Sequence, residues 1–362
     1  MNKILILTQT TNINSGWGRY SFEIIKNLSK KTEVIVLEEG KGESRLFKKD
    51  SFGSFVKNIF LARKMARKVE IVHVLDGWPY AVYGYVAVWG TSKKLFINAI
   101  GTYSIPPKNL FSIKGLLMKL AYLKASKVFS ISRYTDGILK SIIPWVDSVV
   151  VHLGVSQLPE PSIEVANSVM SKISDKYPII LTVGALKRRK GQLHTLKAVH
   201  ELTKDYPNIL YVIVGDDSDI EYKNDFLSFV KENNLENNIL ITGSVSDSEL
   251  SAWYKNSDIF VLNSINHDGH FEGFGLVYLE AGMTGLPVVG SLENGAEDAI
   301  RNRETGILVP QGDLKYLTGA ILEIIRNEDL AKQMSYNGIQ WAKNHNWDVI
   351  VSRYIEIYEQ VN

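Results

Sequence analysis

What most constrains the fold of this chain is a rhythm. Short apolar runs alternate with longer amphipathic stretches, the series breaks once, and it then begins again. Before the break, strands are expected at 4–7, 32–37, 71–75, 95–100, 127–131 and 148–152, with helices at 19–30, 52–68, 78–88, 114–125 and 135–141. Segment 154–161, with Gly154, Pro159 and Pro161 among polar residues, reads as a linker. After it, strands at 179–183, 209–214, 239–242, 259–263 and 287–290 alternate with helices at 191–206, 221–233, 246–255 and 274–282, and 330–361 reads as helical. Short strands that take turns with helices form a parallel sheet covered on both faces, because a parallel crossover needs about a dozen residues or more. The expectation is two doubly wound, Rossmann-like α/β domains, 1–157 and 158–342, with a closing helix near 343–362 packed back on the first. Ligands of such sheets bind outside the carboxyl ends of the strands, so the expected site is a central cleft between the domains.

A length of 362 residues also asks for two cores rather than one. The chain has no cysteine, which excludes a disulfide scaffold, a thiolate zinc site and a cysteine nucleophile together, and fits a reducing compartment. The opening apolar run, Ile4 to Leu7, is too short for a signal peptide and suits a buried strand. No run reaches the roughly 18 apolar residues of a membrane span. A cytoplasmic enzyme is therefore expected.

The net charge of +2 conceals an imbalance. Residues 1–160 hold 23 Lys and Arg against 11 Asp and Glu, and the remainder holds 18 against 28. A basic first half suits an anionic partner such as a phospholipid surface or a phosphorylated acceptor. Segment 107–124 is apolar with spaced lysines and has the character of an interfacial helix, so peripheral membrane binding is expected there; no nucleic-acid partner is.

Chemistry concentrates in three places. In His270-Phe271-Glu272-Gly273-Phe274-Gly275-Leu276, a loop after one strand runs into a helix that carries Glu280. Glycines let backbone approach a ligand, and the first amides of a helix suit a phosphate. The second place is Gly184-Ala185-Leu186-Lys187-Arg188-Arg189-Lys190-Gly191, where consecutive cations between strand and helix could clamp a leaving diphosphate. The third is Ser15-Gly16-Trp17-Gly18-Arg19, which opens the first helix and lacks the spacing of a dinucleotide fingerprint.

These segments resemble glycosyltransferase family 4, a family of retaining enzymes with the GT-B fold. Glu272 and Glu280 are spaced as its E-x7-E signature. Gly243 to Leu250, Tyr254, Ser257 to Leu262, Gly285 to Gly290, Asn294 to Asp298 and Thr305 to Val309 are similar to its other segments, in the same order. The resemblance implies a hexosyltransferase that moves a sugar from a UDP- or GDP-sugar to a glycan or lipid-linked saccharide, in polysaccharide or glycolipid synthesis. It implies no cofactor and no metal; the nucleotide sugar is a substrate. Glu272 would lie by the donor sugar, Lys190 would match the family lysine, and Glu280 would bind the ribose. The amides of Phe274, Gly275 and Leu276 would hold the diphosphate and Val245 would pack beside the base. Gly16, Gly18, Gly184, His270 and Gly273 complete the expected donor site, and Arg19, His73, Asp76 and Tyr103 are candidates on the acceptor side.

Two positions depart from the family pattern. Ala185 stands where an arginine is usual, and Arg189 is the candidate to replace it. Ile100, before Gly101-Thr102, stands where many relatives have a histidine, and His73 with Asp76 could compensate. In a front-side transfer the departing phosphate oxygen can itself take the acceptor proton. Asp217-Ser218-Asp219 has a metal-binding form but falls in a loop where the family carries polar residues. His267 and His270 flank Asp268 and could hold a metal, though contact with the donor sugar is favoured. The rival readings are a nucleotide-sugar epimerase of GT-B fold, a non-catalytic glycosyltransferase-like binding subunit, and, last, a dehydrogenase.

Overall fold

The computed structural model describes residues 3–361 except 14, 41–44, 49–50, 108 and 110–111. Lys108, Leu110 and Phe111 of segment 107–124 therefore lie outside the described residues. The chain divides into two units, Met1–Gly154 with Trp347–Asn362, and Val155–Asn346.

The first unit runs β1 (Ile4–Leu7), α1 (Gly16–Ser29), β2 (Val34–Leu37), α2 (Phe52–Ala66), β3 (Ile71–Val74), α3 (Tyr80–Val88), β4 (Lys94–Ala99), α4 (Ile113–Lys124), β5 (Lys127–Ser130), α5 (Arg133–Ile142) and β6 (Ser148–Val150). Its sheet is parallel, in the order β2-β1-β3-β4-β5-β6. Side chains alternate across it. Ile4, Ile6, Ile71, Phe96 and Phe129 face a core completed by Tyr20, Ile24 and Leu28 of α1 and by Trp347, Val351 and Tyr354 of the last helix, Trp347–Gln360. On the opposite face α3, apolar throughout, lies against β3 and β4; a methyl group at Gly84 would stand 2.5 Å from the Val74 side chain. Packing that close lets the helix sit directly on the strand layer.

The second unit continues with α6 (Ile163–Ser171), β7 (Ile179–Val183), α7 (Gln192–Leu202), β8 (Leu210–Val214), α8 (Ile220–Glu232), β9 (Ile239–Gly243), α9 (Asp247–Lys255), β10 (Ile259–Leu262), α10 (Leu276–Met283), β11 (Val288–Ser291), α11 (Ala296–Ala299), β12 (Gly306–Val309), α12 (Leu314–Arg326) and α13 (Glu328–Lys343); the last helix, α14, returns to the first unit. Its sheet, also parallel, has the order β12-β11-β10-β7-β8-β9. Ile180, Tyr211, Ile213, Val261 and Val289 form its core with Leu196, Val199, Phe226, Leu317 and Ile321. Each sheet is a doubly wound α/β layer, as the alternating rhythm requires.

Strand order decides where chemistry can gather. In the first sheet the winding reverses between β1 and β3, and in the second between β7 and β10. At each reversal the loops leaving two adjacent strands diverge and leave a crevice at their carboxyl ends. The loops at the second reversal are 184–191 and 263–275; those at the first are 8–15 and 75–79. No helix among the described residues is long and apolar enough to cross a membrane.

Candidate functional site

The run of four cations after β7 does not act as one patch. Arg188 to Lys190 form a 3-10 turn, and Gly191 ends it at φ +71°. A side chain is excluded at Gly191, because a methyl group would lie 1.9 Å from the Asn263 carbonyl oxygen. The turn sorts the cations. Lys187 is exposed, and Arg188 turns away to Asp225 at 3.0 Å and lies over the ring of Tyr222. Arg189 and Lys190 turn toward Glu272, at 3.5 Å and 2.5 Å from Oε2. Ser264 Oγ donates to the same oxygen at 3.2 Å. These contacts join the ends of β7 and β10, at the reversal of the sheet.

Burial alone would raise the pKa of Glu272, but Lys190 and Arg189 outweigh it and hold the carboxyl below its usual value. Glu272 is thus an ionised carboxylate under two cations, and the group of three carries a net positive charge.

Immediately downstream the backbone becomes the instrument. Gly275, at φ +82°, is the N-cap of α10, and no side chain caps that end. The helix starts at Leu276, and the amides of its first turn, with the positive end of the helix behind them, suit an anion. Phe274 buries its ring near His345, so only its backbone can serve a ligand. Gly273 is covered by the β11–α11 loop: Gly295 N–H donates to the Glu272 carbonyl at 2.8 Å, and a methyl group on Gly295 would lie 2.0 Å from the Gly273 oxygen. Glu280, in the second turn of α10, accepts from Tyr254 Oη at 3.0 Å. Burial and then the Glu280 charge push the Tyr254 phenol well above its usual pKa, so it stays a donor. Val245, half-buried, precedes the Ser246 cap of α9. Gly184, at φ +151°, lies 3.6 Å from the Lys190 side chain, measured from a methyl group built on it. His270 closes a tight turn with His267 through reciprocal backbone bonds of 3.0 and 2.8 Å.

Other expectations need correction or have simpler explanations. His73 cannot act at a strand end: it is fully buried beneath α14, with Nε2 on Asn98 Oδ1 at 2.7 Å and Nδ1 on Tyr358 Oη at 2.6 Å. Burial, opposed by the Asn98 hydrogen bond, lowers its pKa to about 4. Gly18 serves packing, because a methyl group there would meet the Asn12 carbonyl oxygen at 2.1 Å, whereas Gly16 is open and exposed. Arg19 Nε reaches the Ile13 carbonyl at 3.4 Å. Asp217 pairs with Lys223 and Asp219 caps α8, which accounts for the paired-aspartate form. Among the described residues no group of three metal-ligating side chains occurs. Ala185 offers its carbonyl to Gln192, and the Ile100 amide is taken by Ser104 Oγ at 2.5 Å.

The first unit has a site of its own. A pocket of about 390 Å³ is lined by Gln9, Trp17, Asp76, Gly77, Trp78, Tyr80, Tyr103 and Lys114. Asp76 and Tyr103 were expected near an acceptor; Gln9, Trp17, Trp78, Tyr80 and Lys114 were not. The available signal was the position of Trp78 in the loop after β3 and of Trp17 at the start of the helix that follows β1, the two strands that meet where the winding reverses. Asp76 is buried and organises one wall: Oδ2 accepts from Thr8 Oγ1 and from the Gln9 amide, each at 2.7 Å, and Oδ1 accepts from the Trp17 indole.

Comparison with known proteins finds relatives by sequence and by fold. Residues 166–341 match the family described as glycosyl transferases group 1. Phosphatidyl-myo-inositol mannosyltransferase of Mycobacterium leprae is 23% identical over 304 residues, 78% of each chain. The capsular polysaccharide biosynthesis glycosyltransferase CapM of Staphylococcus aureus is 27% identical over 310 residues, 80% of this chain and 76% of that protein. Anabaena HepE, solved in complex with UDP, has a TM-score of 0.83 over 99% of this chain and 100% of its own, at 19% identity. The fold is GT-B.

Proposed function

We propose, from the match of residues 166–341 to the glycosyl transferases group 1 family, that this chain is a retaining hexosyltransferase using a UDP- or GDP-sugar. The observation that carries the reading is the convergence of Lys190, Arg189 and Glu272 beside the uncapped start of α10. In it, the diphosphate takes the amides at 274–276 with Lys190 and Arg189, Glu280 takes the ribose, Val245 packs beside the base, and His270 approaches the sugar. The bond from the anomeric carbon to the phosphate oxygen breaks as the acceptor oxygen bonds on the same face. The acceptor proton passes to the leaving phosphate oxygen. Negative charge grows on the diphosphate, and the two cations stabilise it more in the transition state than before. Glu272 fixes Lys190 in place. No metal or cofactor is required by this chemistry.

The acceptor in this reading is a glycan or a lipid-linked saccharide held by the first unit. A lipid acceptor is supported by the name of the mycobacterial relative and by the helices of that unit. Helices α2, α3 and α4 contain no Asp or Glu, and α2 packs on α3 and α3 on α4. Phe52, Phe60, Ile113, Leu116, Leu120 and Leu123 are exposed on them. We assign this face to an anionic membrane surface, with the protein peripheral on the cytoplasmic side.

The test is transfer from UDP-glucose, UDP-N-acetylglucosamine and GDP-mannose to a membrane lipid extract, with the product anomer read by NMR. Retention of the anomeric configuration with one donor upholds the reading. Conversion of the donor without any acceptor points to an epimerase, and nucleotide binding without turnover to a binding subunit.

A further inference from the structure

Asn263, the residue after β10, is fully buried, and among the described residues neither end of its side-chain amide has a hydrogen-bond partner. Other buried asparagines are unlike it. Asn27, Asn58, Asn98 and Asn294 each have both Oδ1 and Nδ2 engaged. A buried amide left unmet costs stability, and an apolar side chain of similar shape would avoid that cost. The chain thus carries an amide that its own fold does not use.

Its place says what the amide serves. Ile259 and Val261 of β10 lie in the core with Leu196 and Val199 of α7, and Asn263 continues their alternation past the strand end. There it meets the turn at the start of α7: a methyl group built on Gly191 would stand 1.9 Å from the Asn263 carbonyl oxygen and 3.7 Å from its Cα. Gln192, next to Gly191, is also fully buried, and its Oε1 has no partner among the described residues. The unmet groups beside Gly191 are therefore an amide NH2 and two carbonyl oxygens. A phosphate oxygen only accepts, and the two carbonyls would repel it. A hydroxyl accepts from Nδ2 and donates to a carbonyl oxygen, so it fits. Such a hydroxyl comes from a sugar or from a water. Ser264, next in the chain, donates to Glu272, the carboxylate that holds Lys190 and Arg189. The turn covering the amide is thus the turn that carries the two diphosphate cations, so engaging the diphosphate and uncovering Asn263 are one movement.

We infer that Asn263 binds a hydroxyl of the donor hexose, reached when the turn Arg188–Lys190 shifts onto the diphosphate. The inference rests on the glycosyltransferase reading and adds to it a residue that selects the donor sugar, one with a free hydroxyl where it meets Asn263. In that reading the ribose already has Glu280. Because the amide is unmet in the free chain, its bond to the sugar displaces no earlier partner, and the gain exceeds that of an exchanged hydrogen bond.

The test is calorimetric titration of the purified chain with UDP, GDP, UDP-glucose, UDP-N-acetylglucosamine and GDP-mannose, and with forms of the tightest nucleotide sugar deoxygenated at one hexose carbon at a time. Asn263→Leu keeps the branching of the side chain, and Asn263→Ala removes the amide without added bulk. Both variants are expected to bind the free nucleotide as the wild type does and the nucleotide sugar about tenfold more weakly. In the wild type one deoxy form should be weaker by the same factor. The variants should bind that form and its parent alike, since a lost contact is not lost twice. A wild-type preference for the sugar that survives in both variants overturns the inference. An equal loss for the free nucleotide moves the effect to the ribose or to folding, and overturns it too. A loss in the variants that no deoxy form reproduces gives the amide to a resident water and overturns the sugar contact. A wild-type chain that binds neither nucleotide nor nucleotide sugar contradicts the transfer reading itself, whereas nucleotide binding with an unaltered sugar preference contradicts Asn263 alone.

Discussion

Lys190 Nζ lies 2.5 Å from Glu272 Oε2, joining a turn that follows β7 to a loop that follows β10, 82 positions along the chain. The contact sits where the winding of the second sheet reverses. The lysine side chain is 13% exposed and the glutamate 12%, so the pair is largely withdrawn from water. Removing the lysine leaves Glu272 with Arg189 at 3.5 Å and the Ser264 hydroxyl. Lys190→Ala is expected to lower kcat by about 10²–10³, the usual cost of losing one preorganised donor to developing charge. It also destabilises the second unit, by up to about 3 kcal/mol for a broken, nearly buried pair. Steady-state kinetics beside urea unfolding separates the two effects.

Gly191 sets the turn that aims Lys190. A methyl group there meets the Asn263 carbonyl at 1.9 Å and must adopt a left-handed backbone conformation. Gly191→Ala should cost at least about 2 kcal/mol, seen as a Tm lowered by about 4–8 °C. Gly319→Ala, in α12 with nothing within 4 Å, should be neutral or stabilising by up to about 1 kcal/mol. Equal effects of the two substitutions would contradict the close approach.

Glu280 is held by Tyr254 across 3.0 Å. Tyr254→Phe removes that hydrogen bond and should weaken donor binding by about fivefold, in line with roughly 1 kcal/mol. Glu280→Gln should raise the KM for the nucleotide sugar with a smaller change in kcat, because a ribose contact acts alike in ground and transition states. A kcat loss without a change in KM would remove Glu280 from the ribose.

His73 gives the first unit a pH dependence. Both ring nitrogens are hydrogen-bonded in the neutral form, and the folded pKa is about 4 against 6.5 for a free histidine. The unfolded chain binds the proton more readily between those values. The associated stability is therefore complete above about pH 6.5, falls as pH drops toward 4, and amounts to about 2–4 kcal/mol. The difference in unfolding free energy between wild type and His73→Gln should shrink across that window. A difference independent of pH would place the titration elsewhere.

Much of the second unit was legible in order. Glu272, Gly275, Glu280 and Lys190 lie in short local patterns, each tied to one strand end and one helix start, and local patterns survive without knowledge of the fold. The partners of the cations were not legible. Whether Arg188 or Arg189 faces Glu272 depends on the 3-10 turn and on Gly191 against Asn263, a contact between distant segments. The strand at Gly306–Val309 was seen only as a motif, because at the sheet edge it is short and flanked by charged residues. In the first unit, His73 looked like a strand-end residue until α14 folded over it from the far end of the chain. The aromatic pocket was hidden for a similar reason: its residues come from separate segments that meet only because β3 lies beside β1, and periodicity carries no strand order.

The most direct test is the thermal stability of the purified chain with UDP, GDP, ADP and dTDP in turn, repeated with Lys190→Ala and Glu280→Ala. A nucleotide at about 100 times its Kd adds roughly 2.7 kcal/mol, or about 5–10 °C in the Tm of a unit this size. UDP or GDP should produce that shift in the wild type and lose most of it in both variants. No shift with any of the four, or an undiminished shift in both variants, would contradict a nucleoside diphosphate site at the ends of β7 and β10.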